Sequence, residues 1–365
     1  MIIKPIARAV NKKLSRESVL MLYKETITVY TFPMSITIHD VAKRAGVSHT
    51  TVSWVIHDNP SISQATKDKV MKAIEELDYH PNFSARGLVN GNTGIIGVVA
   101  NFFSSYFEME ILKGIEQGIR TSKSHYSINL FSTLEENEKT LSKIVLEKRA
   151  DAVILLSISP STKVCELYKK NGIPLIVIDE SASDAVEMSL NNFEGAYKAT
   201  ELLIQSGKKN FALVLGDEEN MVLCQYERKR GFLQALVDNN IPFDESHIFF
   251  ISDYYFEEGQ IIFKRMERLF PETDAIFCAA GDIVAAGLML EAKKAGKSIP
   301  KELSIIGYDD FIASAMISPS LTTVHQPLTQ IGKDSYLTIL KMLNKEDLGA
   351  REFVYSPYLV RREST

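Results

Sequence analysis

Residues 37–56 read TIHDVAKRAGVSHTTVSWVI. The stretch divides into two short helices. Thr37 suits an N-cap, and Asp40, three residues on, closes a capping box. Ile38, Val41, Ala42 and Ala45 recur at i, i+3, i+4 and i+7, so one face is apolar. Gly46 follows the last of them, where a left-handed backbone is cheapest for glycine. Ser48 caps a second helix over about 49–57. Thr51, Val52, Val55 and Ile56 face inward on it, and His49, Thr50, Ser53, Trp54 and His57 face outward. A short exposed second helix held at a fixed angle to the first is the helix-turn-helix arrangement, whose outer side chains enter the DNA major groove. A plain pair of bundle helices has the same periodicity, so this stretch alone leaves both readings open.

The next residues narrow the choice. Ser63 caps a third helix with apolar positions at Val70, Ala73, Ile74 and Leu77. Pro81 ends it, because a residue before proline avoids the helical region. Residues 79–99 then read YHPNFSARGLVNGNTGIIGVV. With TIHDVAKRAGVS, TVS, IEELDYHPN, ARGL and TGIIGVV in this order, the chain from about Ser35 to Thr365 resembles the lac-repressor family of bacterial transcription regulators.

The resemblance implies a DNA-binding head at 35–80 and a hinge at 81–92. The hinge folds into a short helix only on operator DNA and pushes a leucine, here Leu88, into the minor groove. Asn82 caps that segment. The implied DNA-contacting set is Thr37, Ser48, His49, Thr50, Ser53, Trp54, His57, Tyr79, Asn82 and Leu88. Two residues depart from the family's pattern. Gly87 costs about 1 kcal/mol inside a helix. Trp54, the one tryptophan in the chain, stands where most members have an arginine that reads guanine. It either packs against the third helix or meets a thymine methyl or sugar edge.

Length and composition agree with a chain of two or three domains. The 365 residues are 45% hydrophobic and 24% charged, with a net charge of -5. Residues 1–92 hold 12 Lys/Arg against 8 Asp/Glu, and the remainder 29 against 38. A weakly basic head on an acidic body fits specific DNA binding aided by dimer formation, not a sticky polycation. The cysteines (Cys165, Cys224 and Cys278) are far apart and lack C-x-x-C spacing, so they read as buried apolar side chains in a reducing compartment. No run approaches a membrane span. Residues 1–34 are a mildly basic extension, either disordered or bypassed by a start at Met34.

From Gly94 the period changes. Strands are predicted at 95–100, 127–132, 152–157, 174–179, 211–216, 247–252, 275–280 and 303–309, with helices such as 108–122 and 283–295 between them. Alternation of this kind means parallel strands with crossover helices. The count exceeds one small sheet, so two lobes are predicted over 93–365. The resemblance implies a periplasmic-binding-protein-like body, joined to an all-α helix-turn-helix head. The chain crosses between lobes near 191–194 and 322–327, and a third crossing is left unplaced.

Ligands bind such sheets beyond the carboxyl ends of the strands. The residues there are 101–107, Asp179, Asn191, Asn192, Tyr254, Asp282 and Asp309. By resemblance, Arg228, at the start of a lobe-two helix, pairs with Asp309 as the main effector contact. Asp179 and Asn192 add polar contacts, and Phe107 and Tyr254 line the cleft. Charged groups beside aromatic faces suit a sugar or sugar phosphate. Gly281-Asp282 replaces an Asn-Asp pair. Glu108 replaces an aromatic residue and is read as facing solvent. Glu180 stands where arginine is common. These departures leave open an unusual sugar, or a ligand that is not a sugar.

The chain lacks G-x-x-x-x-G-K-[ST], H-E-x-x-H and G-x-S-x-G, and no paired carboxylates serve acid/base work, so an enzyme is not expected. No cofactor or metal is expected either. A transport protein would share the body but lack the head. The expected function is a cytoplasmic repressor of carbohydrate-utilisation genes, binding near-palindromic operator DNA as a homodimer and released by a small effector. The alternative is a global regulator activated by a phosphoprotein corepressor. No heptad segment follows Thr365, so a dimer is expected rather than a coiled-coil tetramer.

Overall fold

A computed structural model describes residues 36–56, 59–79, 92–133, 136–219 and 221–365. The expectations for residues 1–34, His57, Asn82, Gly87 and Leu88 lie outside them. The described residues fall into two compact units, one within 1–85 and one within 86–365. Among the described residues no helix is long and apolar enough to cross a membrane.

The first unit is all-α: α1 (Ile38–Ala45), α2 (His49–Ile56) and α3 (Gln64–Glu76). The Asp40 carboxylate accepts the Thr37 backbone N–H at 2.9 Å and its hydroxyl at 2.7 Å. Gly46 ends α1 with φ +70°. The Ser48 hydroxyl caps α2 by accepting the Thr51 N–H at 3.0 Å. At α3 the expected cap differs: the Ser63 hydroxyl pairs with the Thr66 hydroxyl at 2.9 Å and caps no backbone group. Val41, Ala42, Val52, Val55, Val70 and Ala73 form the buried core. Three helices this short hold together through that shared core, since none would persist alone in water.

The second unit has two six-stranded sheets. Lobe one contains β1 (Ile95–Ala100), β2 (Ser127–Ser132), β3 (Ala152–Leu156), β4 (Leu175–Ile178), β5 (Val186–Leu190) and β11 (Glu352–Tyr355), in the order β11-β5-β4-β3-β1-β2. Lobe two contains β6 (Phe211–Leu215), β7 (Ile248–Phe250), β8 (Ala275–Cys278), β9 (Ser304–Asp309), β10 (Thr322–His325) and β12 (Tyr358–Val360), in the order β12-β10-β9-β8-β6-β7. Every pairing is parallel except β10 with β12. Helices cover both faces of each sheet. In lobe one they are α4 (Tyr106–Ser122), α5 (Asn137–Leu146), α6 (Thr162–Lys170) and α11 (Leu328–Leu343); in lobe two, α7 (Asn192–Gln205), α8 (Leu223–Asp238), α9 (Phe256–Leu269) and α10 (Asp282–Lys294). Each sheet therefore separates two apolar clusters. That explains the near-continuous Val, Ile and Leu runs of the central strands.

All eight predicted strands are present. Four were missed: β5, β10, β11 and β12. VEMSL, TTVH, EFVY and YLV are short and mix polar with apolar residues, so their strand character comes from neighbours. The chain crosses at Asn191, between β5 and α7, and at Gln326-Pro327, between β10 and α11. The third crossing is Ser356-Pro357, between β11 in one sheet and β12 in the other.

Candidate functional site

The α2 face of the first unit carries the predicted DNA-facing side chains. His49 and Thr50 are exposed, Ser53 is half-buried, and Trp54 keeps 47% of its surface open. Trp54 is not among the side chains that form or pack on the core of this unit, so packing does not account for an indole there. Thr37 and Ser48 also lie at the surface, one at each N-terminus. Tyr79 differs, since it is half-buried and packs against the core.

The second site lies where the carboxyl ends of both sheets face each other across the crossings. The sharp turn after β4 holds Asp179 at φ +60°. Its carboxylate accepts the Asn192 amide at 2.9 Å. Asn192 opens α7 just after the first crossing, and its Oδ1 accepts Arg228 Nε at 2.9 Å and the Tyr308 hydroxyl at 3.2 Å. Arg228 NH1 donates to the Ala279 carbonyl at 2.8 Å, and the guanidinium lies 3.7 Å from the Tyr308 ring centre. All these groups are buried. Arg228 sits in the second turn of α8, not at its start. The expected Arg228–Asp309 pair is thus indirect. Arg228 lowers the Asp309 pKa by its charge while its hydrogen bonds go to Asn192 and Ala279.

Asp309 ends β9 at φ +110°, and its Oδ1 accepts Gln326 Nε2 at 2.6 Å. Gly281 explains one departure from the family's pattern. At φ +116° a Cβ there would lie 2.9 Å from Asp309 Oδ2, so a side chain at 281 would crowd that carboxylate. Asp282 accepts three donors: Phe311 N at 2.8 Å, the Ser314 hydroxyl at 2.7 Å and the Thr323 hydroxyl at 2.6 Å. It clamps the segment between β9 and β10, which leaves it little capacity for an effector. Tyr254 is 38% exposed, with its hydroxyl against Gly216.

Two expectations change. Phe107 and its neighbour Tyr106 both pack on the lobe-one core, and Tyr106 also reaches lobe two. The Tyr106 hydroxyl donates to the Asp310 carbonyl at 3.3 Å, and its ring meets Phe311 edge-on at 5.0 Å. Glu108 does not face solvent. It is 7% exposed, in the first turn of α4, and accepts the Ser105 hydroxyl. Cys224 also departs from the apolar reading, since its thiol bonds to Asp179; Cys165 and Cys278 are buried.

The electrostatics follow from burial in a shared volume. Burial raises Asp179 to about 6 against the opposing charge of Arg228. Asp309 rises to about 6 for the same reasons. Burial, reinforced by Asp309, raises Asp282 and Glu108 to about 7. Gln326 and Tyr308 escaped sequence reasoning as parts of this site, whereas Tyr106 lay within the strand-end stretch 101–107 and Glu108 was read as facing solvent. Gln326 had a faint signal, as the residue before Pro327 at a predicted crossing.

Comparison with known proteins fits this geometry. The profile of bacterial regulatory proteins of the lacI family matches residues 37–82, and that of a periplasmic binding protein-like domain matches 200–365. The helix-turn-helix transcriptional repressor PurR of Vibrio parahaemolyticus is 31% identical over 333 residues, spanning 90% of this chain and 98% of its own. Catabolite control protein A of Priestia megaterium is 33% identical over 340 residues, 91% and 100% of the two chains. A solved lacI-family regulator from Enterococcus faecium with bound ribose is 28% identical, covers 74% of this chain and 98% of its own, and has a TM-score of 0.65. With a helix-turn-helix unit, a two-lobed body and full-length relatives above 30% identity, this chain belongs to the lacI family of bacterial regulatory proteins.

Proposed function

We propose that the chain is a cytoplasmic, dimeric repressor whose head (35–80) binds a near-palindromic operator through α2. Its hinge (81–92) couples that head to the body (93–365), and a small polyhydroxylated effector in the cleft releases the DNA. The observation that carries the reading is that two of the three inter-lobe crossings, at 191 and 326–327, border the polar knot of Asp179, Asn192, Arg228 and Asp309. A ligand seated there touches the hinges of the body directly. It can therefore bias the angle between lobes through differential contacts, the requirement for coupling two sites. Bound ribose in the Enterococcus faecium relative supports a sugar-like effector. The proposed effector-contacting set is Asp179, Asn192, Arg228, Tyr254 and Asp309.

The test is selection of DNA from a random library with the full chain, followed by mobility-shift titration on the selected sequence. Two half-sites about one helical turn apart, with binding weakened by a compound that also raises the melting temperature, are expected. Absence of any selected sequence would refute the reading.

A further inference from the structure

His39 on α1 and His49, the first residue of α2, put their rings side by side. The ring centres are 5.1 Å apart and the planes are tilted by 44°. Both residues are exposed. In a helix-turn-helix the N-terminal residues of the second helix meet base edges while the first helix crosses the backbone. His49 holds such a position, and the ring contact carries His39 to the same surface. His39 is absent from the DNA-contacting set that the family resemblance implies.

The polar groups around the pair are already used. Thr37 and Asp40 hold each other, and the Ser48 hydroxyl takes the Thr51 N–H. Neither imidazole has a hydrogen-bond or ion-pair partner among the described residues. The charged groups nearby are few. Asp40 on α1 feels the charge of His39 and of Lys43, and the bonds from Thr37 hold its carboxyl below the usual range. Arg44 is paired with Glu76 of α3, which Lys72 also approaches at 4.0 Å. α2, with the sequence HTTVSWVI, adds no Asp, Glu, Lys or Arg. One free-standing carboxylate therefore faces two imidazoles.

Histidine is the side chain that ordinarily changes charge between about pH 5 and pH 8. A neutral imidazole offers one donor and a protonated one offers two, whereas phosphate oxygens only accept. Two imidazolium charges side by side repel, and Asp40 offsets one of them. Duplex DNA brings one negative charge per about 1.7 Å of its axis. We propose that His39 and His49 together form a proton-loaded DNA contact, in which both rings are charged on the operator and the second charge is taken up as DNA binds. This rests on the operator-binding reading above and deepens it. The complex then holds more protons than the free protein, so affinity rises as pH falls, by at most about tenfold per pH unit for one proton.

The experiment titrates the full chain onto its selected operator by fluorescence anisotropy at pH 6, 7 and 8 and fixed ionic strength. Binding about tenfold tighter at pH 6 than at pH 8 is expected. The slope of log K against log salt should also steepen by about 0.9 at pH 6, the mark of one more neutralised phosphate. His39→Gln and His49→Gln keep an N–H donor that does not titrate, and each should bring the pH 6 to pH 8 ratio below about threefold. Equal affinities and salt slopes at pH 6 and pH 8 in the unchanged chain would overturn the proposal, and this arm needs no variant to fold. An undiminished ratio in His39→Gln would overturn it too, by moving the proton to His57 or His80, which lie outside the described residues. Failure to select any operator removes the regulator reading and this proposal with it. A selected operator bound equally well at every pH removes only the proton-loaded contact.

Discussion

Arg228→Ala is the most informative single change. In the structure this side chain is 5% exposed, bonds Asn192 at 2.9 Å and the Ala279 carbonyl at 2.8 Å, and covers the Tyr308 ring. Its removal opens a gap over Tyr308 and leaves the buried Ala279 carbonyl with Gln225 Nε2, at 3.2 Å, as its side-chain donor. It also takes away the charge that opposes the upward shift of Asp179 and Asp309. Removing one member of a buried charged network costs about 3–5 kcal/mol. For a body of this size the melting temperature should fall by roughly 6–15 °C. The loss should shrink near pH 5, where the two carboxylates take up protons more easily. Thermal unfolding followed by circular dichroism at pH 5 and pH 8 measures both effects. An arginine that only awaits ligand in an open cleft would give no such loss. A fall below about 2 °C at pH 8, with the effector response abolished, would refute the structural role argued here.

Four further outcomes are expected. Burial holds Glu108 at about 7 against the usual 4.5, so the folded body binds a proton between those values that the unfolded chain has already lost. Its stability therefore falls as pH rises through that window, by roughly 3 kcal/mol in all, and Glu108→Gln should raise the melting temperature at pH 8 and leave it unchanged at pH 4. Asp282→Ala should destabilise the body by about 3–5 kcal/mol, because three donors lose one buried acceptor; equal chemical denaturation midpoints would count against the clamp. Trp54→Arg should move base preference towards G·C at one symmetric pair of operator positions, by about 1–3 kcal/mol in competition binding, and identical selected sites for both proteins would mean that Trp54 does not read DNA. Leu88→Ala should weaken specific but not non-specific binding and Gly87→Ala should strengthen it, both read by footprinting titration.

Much of this protein is legible locally. The three head helices follow from caps and periodicity because Thr37, Asp40, Gly46 and Ser48 act on backbone groups within a few residues of themselves. The six central strands among those predicted, β1, β3, β4, β6, β8 and β9, follow from apolar runs, because burial on both faces demands uninterrupted side chains, whereas β2 and β7 lie at sheet edges. The cleft is legible only in outline. Asp179, Asn192, Arg228 and Asp309 were named from strand ends and resemblance, and the structure brings them together. The sequence alone does not say that Arg228 binds Asn192 and Ala279 rather than a carboxylate.

Tertiary structure decided the rest, through contacts between residues far apart in the chain. β10 is a strand because β9 and β12 flank it, and β5 because β4 and β11 do. Tyr106 reaches lobe two through its hydroxyl while its ring, like that of Phe107, packs on the lobe-one core. Glu108 is a buried carboxylate whose pKa rises to about 7, chiefly through burial, with the charge of Asp309 from the other lobe adding to the rise. Sequence determines local geometry through short-range caps and periodicity. The charge state of a group depends on how much water and which opposing charges the folded chain leaves around it.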